Sequence, residues 1–224
     1  MSGRGVAPAR TLLGANVLFT DRRYGNLSTL AGDGHAQGRA RRDALRAELG
    51  LSGLLAGAQE HGTRINVLRA LPANGELDPA DGHASALPGV GLMVLAADCL
   101  PVALASSDAV AVVHAGWRGL AAGVLEAGVS ALGELSRGPF EAIIGPAAGR
   151  CCYEVGDDVF AAFALQPTDE RRIDLRAIAH ARLARAGVAA IHDVDACTIC
   201  GESYFSHRRE GERAGRQAVI AWLR

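Results

Sequence analysis

Residues 97–119 of the chain read ADCLPVALASSDAVAVVHAGWRG. Two apolar runs in this stretch flank a Ser-Asp turn at residues 107–108, a pattern typical of a β-hairpin. With that turn as the loop, Pro101 lies opposite His114, and Cys99 extends just beyond the paired strands. Because neighbours offset by two positions in a ladder lie roughly 5–8 Å apart, we expect the Cys99 thiol and the His114 imidazole to converge at the open end of the hairpin.

A thiol beside an imidazole supports two kinds of chemistry. The pair can contribute to a zinc or copper site, or it can act as a Cys/His nucleophile pair. Asp98 directly precedes Cys99 and is a candidate proton carrier, although an acid at this position can equally stabilise the turn or the neighbouring ligand. The sequence therefore marks Asp98, Cys99 and His114 as candidate catalytic residues.

A catalytic metal site needs at least a third protein ligand. The remaining histidines are the candidates, namely His35, His61, His83, His180, His192 and His207. His61 lies in a Gln-Glu-His-Gly segment directly before a predicted strand, where the glycine permits close approach. His83 is expected in a flexible loop and His180 in an amphipathic helix. Spacing favours His61 over His35 and His192 but does not decide among all the candidates.

Composition excludes several classes of function. The formal net charge of -1 over 224 residues gives no overall attraction to nucleic acid or to an anionic membrane. All 23 basic residues are Arg, which excludes a Lys Schiff base and a phosphate-loop lysine. No signal-like leader or long apolar run is evident, and five cysteines, an odd number, indicate reduced thiols. We therefore expect a cytoplasmic protein.

The pattern along the chain predicts one mixed α/β domain over residues 15–224, preceded by a flexible lead-in over residues 1–14. Predicted strands lie at residues 16–20, 63–70, 91–96, 141–144, 188–194 and 217–223, in addition to the hairpin. Predicted helices lie at residues 39–49, 119–135, 156–165 and 174–186, and a loop is expected over residues 72–88. The Cys197-x-x-Cys200 motif could form a redox pair or a metal knuckle, but on its own it favours structural thiols.

Nine segments, in order across almost the whole chain, resemble the YfiH-type laccase-domain family. These proteins are called multicopper polyphenol oxidases and also purine nucleoside phosphorylases. The matching segments are 19–22 (FTDR), 59–62 (QEHG), 97–102 (ADCLPV), 114–119 (HAGWRG), 144–146 (IGP), 152–156 (CYEVG), 197–198 (CT), 205–209 (FSHRR) and 215–218 (GRQA). The pairing of the third and fourth segments is the most specific feature of the resemblance.

The resemblance implies a metal site, a fold and a reaction. It implies that His61, Cys99 and His114 bind one zinc ion and leave a coordination position open. It implies a single-domain α+β fold, a four-layer αββα sandwich with mixed sheets. The implied reaction is phosphorolysis of adenosine, inosine and methylthioadenosine with phosphate, accompanied by some adenosine deamination.

Four residues of the matching motifs are candidate substrate contacts. Arg22, Arg118 and Arg208 can clamp phosphate, because bidentate guanidinium contacts fit phosphate oxygens. Tyr153 can stack on a purine, although a buried wall with a hydrogen-bonded hydroxyl is equally typical of such a tyrosine.

Two rival activities use the same residues. Multicopper oxidases need a blue-copper site and a three-copper cluster, for which seven histidines are too few. One copper bound by the two histidines and the cysteine remains an alternative that would give weak oxidase activity. The other rival is a metal-free thiol hydrolase built on Cys99 and His114.

The sequence departs from the family pattern in two places. The family's Gly-Gly-Val-Ser segment and the aromatic stretch after it are replaced by a shorter loop that starts at residue 23. The family's Ala-Asp-Ala segment appears here as Ala-Asp-Gly-His at residues 80–83. Neither change touches the expected metal ligands, but the first puts substrate contacts from the N-terminal loop in doubt.

Overall fold

Two mixed β-sheets, with helices on their outer faces, make up the computed structural model, which describes residues 10–31, 35–73 and 76–224. Within these residues the strands are β1 (Arg10–Leu12), β2 (Ala15–Phe19), β3 (Gly53–Leu55), β4 (Ile65–Leu68), β5 (Gly82–Ser85), β6 (Val90–Ala96), β7 (Leu100–Ala105), β8 (Val110–Ala115), β9 (Glu141–Ile144), β10 (Ala190–Asp193) and β11 (Gln217–Trp222). The helices are α1 (His35–Glu48), α2 (Trp117–Ala122), α3 (Val124–Gly133), α4 (Asp157–Ala162), α5 (Leu175–Arg185) and α6 (His207–Glu210).

Each sheet combines parallel and antiparallel pairs. The first sheet has the order β1-β2-β11-β6-β3, in which only the β3–β6 pair is parallel. The second has the order β10-β9-β7-β8-β5-β4, with parallel pairs at β9–β10 and β4–β5. The predicted hairpin is β7–β8, and its predicted register is confirmed, because Pro101 pairs with His114. The backbone N–H of Ser106 donates to the carbonyl of Ala109 at 2.9 Å to close the turn.

Three apolar clusters hold four layers together. Val94 and Val219 of the first sheet pack against Val112 and Ile143 of the second, so one core lies between the sheets. A second core joins the outer face of the second sheet to α2, α3, α4 and α5. The third places Leu45 of α1 on the outer face of the first sheet. The predicted α+β fold, a four-layer αββα sandwich with mixed sheets, is confirmed. Among the described residues, no helix has the length and apolar character needed to cross a membrane.

Several predicted elements differ from the structure. The helix predicted over residues 119–135 is two helices, because Gly123 adopts the left-handed region with φ of 102° between α2 and α3. The loop predicted over residues 72–88 contains the buried strand β5, so the placement of His83 in a flexible loop is wrong. The strand β1 lies within the predicted lead-in, whose residues 1–9 fall outside the described part of the chain.

His83 is a fully buried residue of β5, and its burial makes protonation of the imidazole unfavourable. Its Nε2 accepts a hydrogen bond from the backbone N–H of Gly57 at 3.1 Å. Burial lowers the pKa of His83 to about 4, and the nearby Asp81 carboxylate offsets only part of this effect. The neutral imidazole therefore suits a structural role in the core.

This burial predicts a pH dependence of stability. The unfolded chain binds a proton at His83 near pH 6.5 and the folded chain only near pH 4, so the folded state is penalised as the pH falls through this window. We expect His83 to account for a loss of about 2 kcal/mol in unfolding free energy between pH 7 and pH 5. Urea denaturation at pH 7 and at pH 5 measures this loss for the wild type and for His83→Gln, whose amide oxygen can still accept from Gly57. Equal losses in the two proteins would contradict the assignment.

Candidate metal centre

Three side chains from distant parts of the chain converge at one end of the sandwich. His114 is near the end of β8, Cys99 directly precedes β7, and His61 lies in the loop between β3 and β4. Their ligand atoms all lie within 4.8 Å of one another. The Cys99 Sγ is 3.8 Å from the His61 Nε2, and the two imidazole rings stand at 82° to each other. The structure thus adds His61 to the pair that the hairpin register brings together.

Glycines in the HAGWRG segment make room for this convergence. A Cβ at Gly116 would lie 2.6 Å from the His61 Cδ2 and 3.2 Å from the Cys99 Sγ. A Cβ at Gly119 would lie 2.7 Å from the carbonyl oxygen of Gly62. Any side chain at either position would therefore push the His61 loop away from the hairpin.

Asp81, which no sequence motif marked as a site residue, organises the centre. Its buried carboxylate lies 2.8 Å from the Nδ1 of His114. It also accepts hydrogen bonds from the backbone N–H groups of Glu60, His61 and Gly62 at 3.1, 2.9 and 2.7 Å. One acid therefore orients the ring of His114 and holds the loop of His61, whose backbone has a left-handed φ of 59°. Such a carboxylate–histidine pair is the usual support of a metal-bound imidazole.

The loop of His61 is also attached to the first sheet. The Gln59 amide donates to the carbonyl of Leu95 and accepts from its N–H, both at 2.8 Å. The side chain thus extends the hydrogen bonding of β6 as an additional strand residue would. This contact explains the glutamine of the QEHG segment.

Electrostatics at the centre favour a thiolate. Burial alone would raise the pKa of Cys99, but His114 and His61 outweigh it and lower the pKa to about 6. Burial alone would lower the pKa of His114, but Cys99 and Asp81 outweigh it and raise the pKa to about 9. Burial opposes ionisation of Asp81 too, yet hydrogen bonds from His114 and from backbone N–H groups lower its pKa. A thiolate is the form that binds metals and that acts as a nucleophile.

Asp98 is engaged in hydrogen bonds rather than free in the site. Its carboxylate accepts from the Thr198 hydroxyl at 2.6 Å and from the backbone N–H of Arg208 at 2.9 Å. Its carbonyl accepts from the N–H of Ala148 at 2.9 Å, and the Ala97–Asp98 peptide bond is cis. Asp98, which directly precedes Cys99, is therefore hydrogen-bonded to three separate segments of the chain.

A cavity of about 670 Å³ opens over the three converging side chains. Tyr153 and Arg208 line it, and the guanidinium of Arg208 lies 5.1 Å from the centre of the Tyr153 ring. Arg42 and Arg216 also line the cavity. Arg216 belongs to the GRQA segment of the family resemblance, but neither arginine was predicted as a substrate contact. Residues 28–31 contribute to the wall, so the short N-terminal loop still reaches the site.

Two predicted substrate contacts lie elsewhere. Arg22 is outside the cavity lining: its Nε donates to the carbonyl of Tyr204 at 3.0 Å, and its guanidinium pairs with Glu210. The guanidinium carbon of Arg118 lies 4.3 Å from the centre of the Trp117 ring. Both residues line an adjoining cleft of about 370 Å³. That cleft shares Trp117, Tyr153 and Arg208 with the main cavity. Of the three arginines named from the sequence, Arg208 is therefore the one that lines the same cavity as His61, Cys99 and His114.

The other histidines are placed differently. His180 pairs with Asp193 at 3.3 Å, and His192 is exposed on β10. His207 lines the cavity, but its Nδ1 lies 2.9 Å from the carbonyl oxygen of Gly211. The side chain of His35 lies outside the described residues.

The donor set fits a metal ion. Tetrahedral zinc with one sulfur and one nitrogen ligand separates these atoms by about 3.5 Å, close to the 3.8 Å between Cys99 and His61. Cys99 is partly accessible, His61 is exposed, and all three side chains line the cavity. His61, Cys99 and His114 can therefore hold a metal ion with one side facing the cavity, as in catalytic sites.

Residues 19–224 match the protein family described as multi-copper polyphenol oxidoreductase laccase. The chain belongs to this family. The resemblance inferred from the sequence motifs is thereby confirmed. The match includes His61, Cys99 and His114, together with Asp81 and the segments that line the cavity.

Curated relatives of the chain carry the name purine nucleoside phosphorylase. The protein of Xylella fastidiosa strain Temecula1 is 40% identical over 231 residues, covering 94% of this chain and 88% of the relative. The Streptomyces coelicolor protein of that name is 34% identical, covering 95% of this chain and 97% of the relative.

Solved structures of related proteins have the same fold. A Neisseria meningitidis protein superposes with a TM-score of 0.87 at 32% identity, covering 97% of this chain and 98% of that one. YlmD of Geobacillus stearothermophilus gives a TM-score of 0.83 at 26% identity, covering 94% and 92%. The chain therefore shares its sandwich architecture with both of these solved structures.

Proposed function

We propose that this laccase-family protein is a zinc-dependent purine nucleoside phosphorylase. It would convert adenosine, inosine or methylthioadenosine and phosphate to the free base and a ribose 1-phosphate. Curated relatives with this name, 34–40% identical, support the reaction class. The observation that carries the proposal is a two-histidine, one-cysteine centre at an arginine-lined cavity.

The donor set favours zinc over a multicopper system. Among the described residues, the metal-ligating group at the cavity includes two histidines, His61 and His114. A blue-copper site together with a three-copper cluster would need many more imidazole ligands. Zinc bound by His61, Cys99 and His114 would supply Lewis-acid polarisation of a substrate oxygen.

Arginines at the cavity are proposed to bind phosphate. Arg208 is exposed at the rim, and its Nη1 donates to the carbonyl of Glu154 at 2.8 Å. Arg216 is half-buried, and its Nη1 donates to the carbonyls of Ala214 and Gly215 at 2.6 and 2.9 Å. These bonds fix the two guanidinium groups in place. Charge-assisted hydrogen bonds from fixed guanidinium groups suit a dianionic ligand.

The aromatic wall is proposed to hold the purine. Tyr153 and Trp117 both line the cavity and are partly accessible. Stacking on such a ring positions the base without requiring a particular substituent. In the proposed reaction a phosphate oxygen attacks the anomeric carbon of the ribose. The bond from that carbon to the base breaks as the new bond forms, and its electron pair leaves with the base.

Asp98 is proposed to position the catalytic groups. Its two carboxylate contacts hold Thr198 and the backbone of Arg208 beside Cys99.

Adenosine deamination, which would need a proton carrier, is proposed as a minor activity. We also propose that residues 15–224 form one catalytic domain and that the protein is cytoplasmic, since none of the five cysteines forms a disulfide.

The reaction is tested by identifying products from adenosine with purified protein. Phosphate-dependent release of adenine and ribose 1-phosphate is the expected result. Release of inosine alone would instead assign the protein as a deaminase. Oxidation of phenols without nucleoside cleavage would favour the copper alternative. A thiol hydrolase built on Cys99 and His114 would survive chelation and be abolished by alkylation.

The proposed phosphate contact gives a mutational prediction. Arg208→Gln removes the guanidinium but keeps the backbone N–H that donates to Asp98. Loss of one charge-assisted hydrogen bond is expected to raise the KM for phosphate about ten-fold or more. Steady-state kinetics at saturating nucleoside measure this value. The matched control is Arg185→Gln, on the exposed side of α5. An unchanged KM for phosphate in Arg208→Gln would show that Arg208 does not bind phosphate.

A further inference from the structure

Four cysteines that the proposed reaction does not use form a second cluster. Cys151 and Cys152 follow β9, and Cys197 and Cys200 follow β10. The four Sγ atoms all lie within 4.8 Å of one another, and those of Cys151 and Cys200 are 3.8 Å apart. Two chain segments about 50 residues apart thus bring all their thiols to one point.

The spacing of the sulfur atoms matches a tetrathiolate metal site. Zinc–sulfur bonds of about 2.3 Å in a tetrahedron place the sulfur atoms about 3.8 Å apart. The separation of Cys151 and Cys200 equals this distance. A disulfide requires a sulfur–sulfur distance of about 2.05 Å, and none of the four cysteines forms one.

Backbone geometry in both loops supports the arrangement. The N–H of Gly201 donates to the carbonyl of Cys197 at 3.0 Å, where a Cβ would lie 2.6 Å from that oxygen. The N–H of Gly149 donates to the Sγ of Cys197 at 3.3 Å. A Cβ at Gly149 would lie 3.2 Å from the Sγ of Cys151. Glycine at each position therefore lets the two loops close around the thiols.

We propose that Cys151, Cys152, Cys197 and Cys200 bind a second zinc ion. Four protein ligands leave no open coordination position, so this site is structural. The side chain of Arg209 donates to the carbonyls of Thr198 and Ile199 at 2.8 and 2.7 Å. These bonds brace the Cys-x-x-Cys loop, and the same guanidinium pairs with Glu210 at 2.7 Å.

The second site supports the first through Asp98. Thr198, which lies between two of the zinc ligands, donates to the Asp98 carboxylate, and Ala148 donates to its carbonyl. The two loops also bond to each other, because the N–H of Thr198 donates to the carbonyl of Ala147 at 2.9 Å. A metal ion bound by both loops therefore holds Asp98, the residue next to Cys99, in place.

Metal analysis of the full-length Cys99→Ala protein tests the proposal. This variant lacks a ligand of the first centre but keeps all four clustered cysteines. We expect about one zinc ion per chain in the variant and about two in the wild type. Replacing zinc with cobalt in the variant should give the visible bands and sulfur charge-transfer absorption of a tetrahedral tetrathiolate. Adding Cys197→Ser and Cys200→Ser should remove both the zinc and these bands.

The opposite results overturn the proposal without bearing on nucleoside cleavage. A folded Cys99→Ala protein that binds no zinc, with four thiols that react freely under native conditions, contradicts a metal site. An intact mass that shows disulfides between the four cysteines contradicts it as well. Circular dichroism establishes that Cys99→Ala is folded, so the conclusion does not depend on the stability of the serine variants.

Discussion

Replacing His61 with alanine is expected to lower kcat/KM for phosphorolysis about 1000-fold. The exposed imidazole has its Nε2 3.8 Å from the Cys99 Sγ and contributes little to the core. Loss of one of three ligands removes the metal, and the lost stabilisation of the transition state is about 4 kcal/mol. The metal content should fall by about one ion per chain, while the melting temperature changes little.

The matched control for this prediction is His192→Ala. His192 is an exposed histidine on β10 and does not belong to the group formed by His61, Cys99 and His114. It should leave both activity and metal content at wild-type values. Full phosphorolysis by a His61→Ala protein that has lost its metal would show that the centre is not catalytic.

Replacing Asp81 with asparagine should affect stability and metal binding together. The buried carboxylate faces the Nδ1 of His114 and accepts from three backbone N–H groups of the His61 loop. An amide of the same size cannot satisfy all these donors, and the expected loss in unfolding free energy is about 3 kcal/mol. The affinity for zinc should fall about 10- to 100-fold, because His114 loses the partner that orients it.

Denaturation and chelator competition measure the two effects in the same preparation. Asp78→Asn is the matched control, because its exposed carboxylate forms an ion pair with the exposed Arg64 at 3.0 Å. It should leave both quantities almost unchanged. An Asp81→Asn protein with wild-type zinc affinity would show that Asp81 has no positioning role.

Local patterns predicted the hairpin correctly because its register follows from neighbouring residues. A polar turn between two apolar runs places Pro101 opposite His114, whatever the rest of the fold does. The same pattern left the choice of the third ligand open. Asp81 joins the loop of His61 to His114 of the hairpin, and Gln59 attaches the same loop to Leu95 of β6, contacts that join distant positions. Only the family resemblance could supply that ligand from the sequence.

Short, polar or small-residue strands were missed because their pairing is not local. The strand β5 contains glycine, histidine, alanine and serine, and forms because β4 and β8 pair with it on either side. Its Gly82 departs from the family's alanine. A Cβ there would lie 2.5 Å from the Cδ1 of Ile65 and 2.8 Å from the carbonyl oxygen of Val112. The isoleucine occupies the space that an alanine side chain would need.

The four-cysteine cluster illustrates the same limit. Cys197-x-x-Cys200 alone favoured structural thiols, because a single motif shows only half of a possible site. Its other half follows β9, and β9 and β10 pair in parallel, so the loops that follow them emerge at the same edge. The sheet topology, which the sequence did not reveal, brings the two pairs together.

The most direct measurement is metal reconstitution of phosphorolysis, with metal content determined on the same batch. The wild-type protein is treated with a chelator until its His61, Cys99 and His114 centre is empty. It is then reloaded with zinc or with copper and assayed with adenosine and phosphate. We predict that depletion abolishes release of adenine and ribose 1-phosphate and that zinc, but not copper, restores it. Undiminished phosphorolysis by the depleted protein would contradict the account.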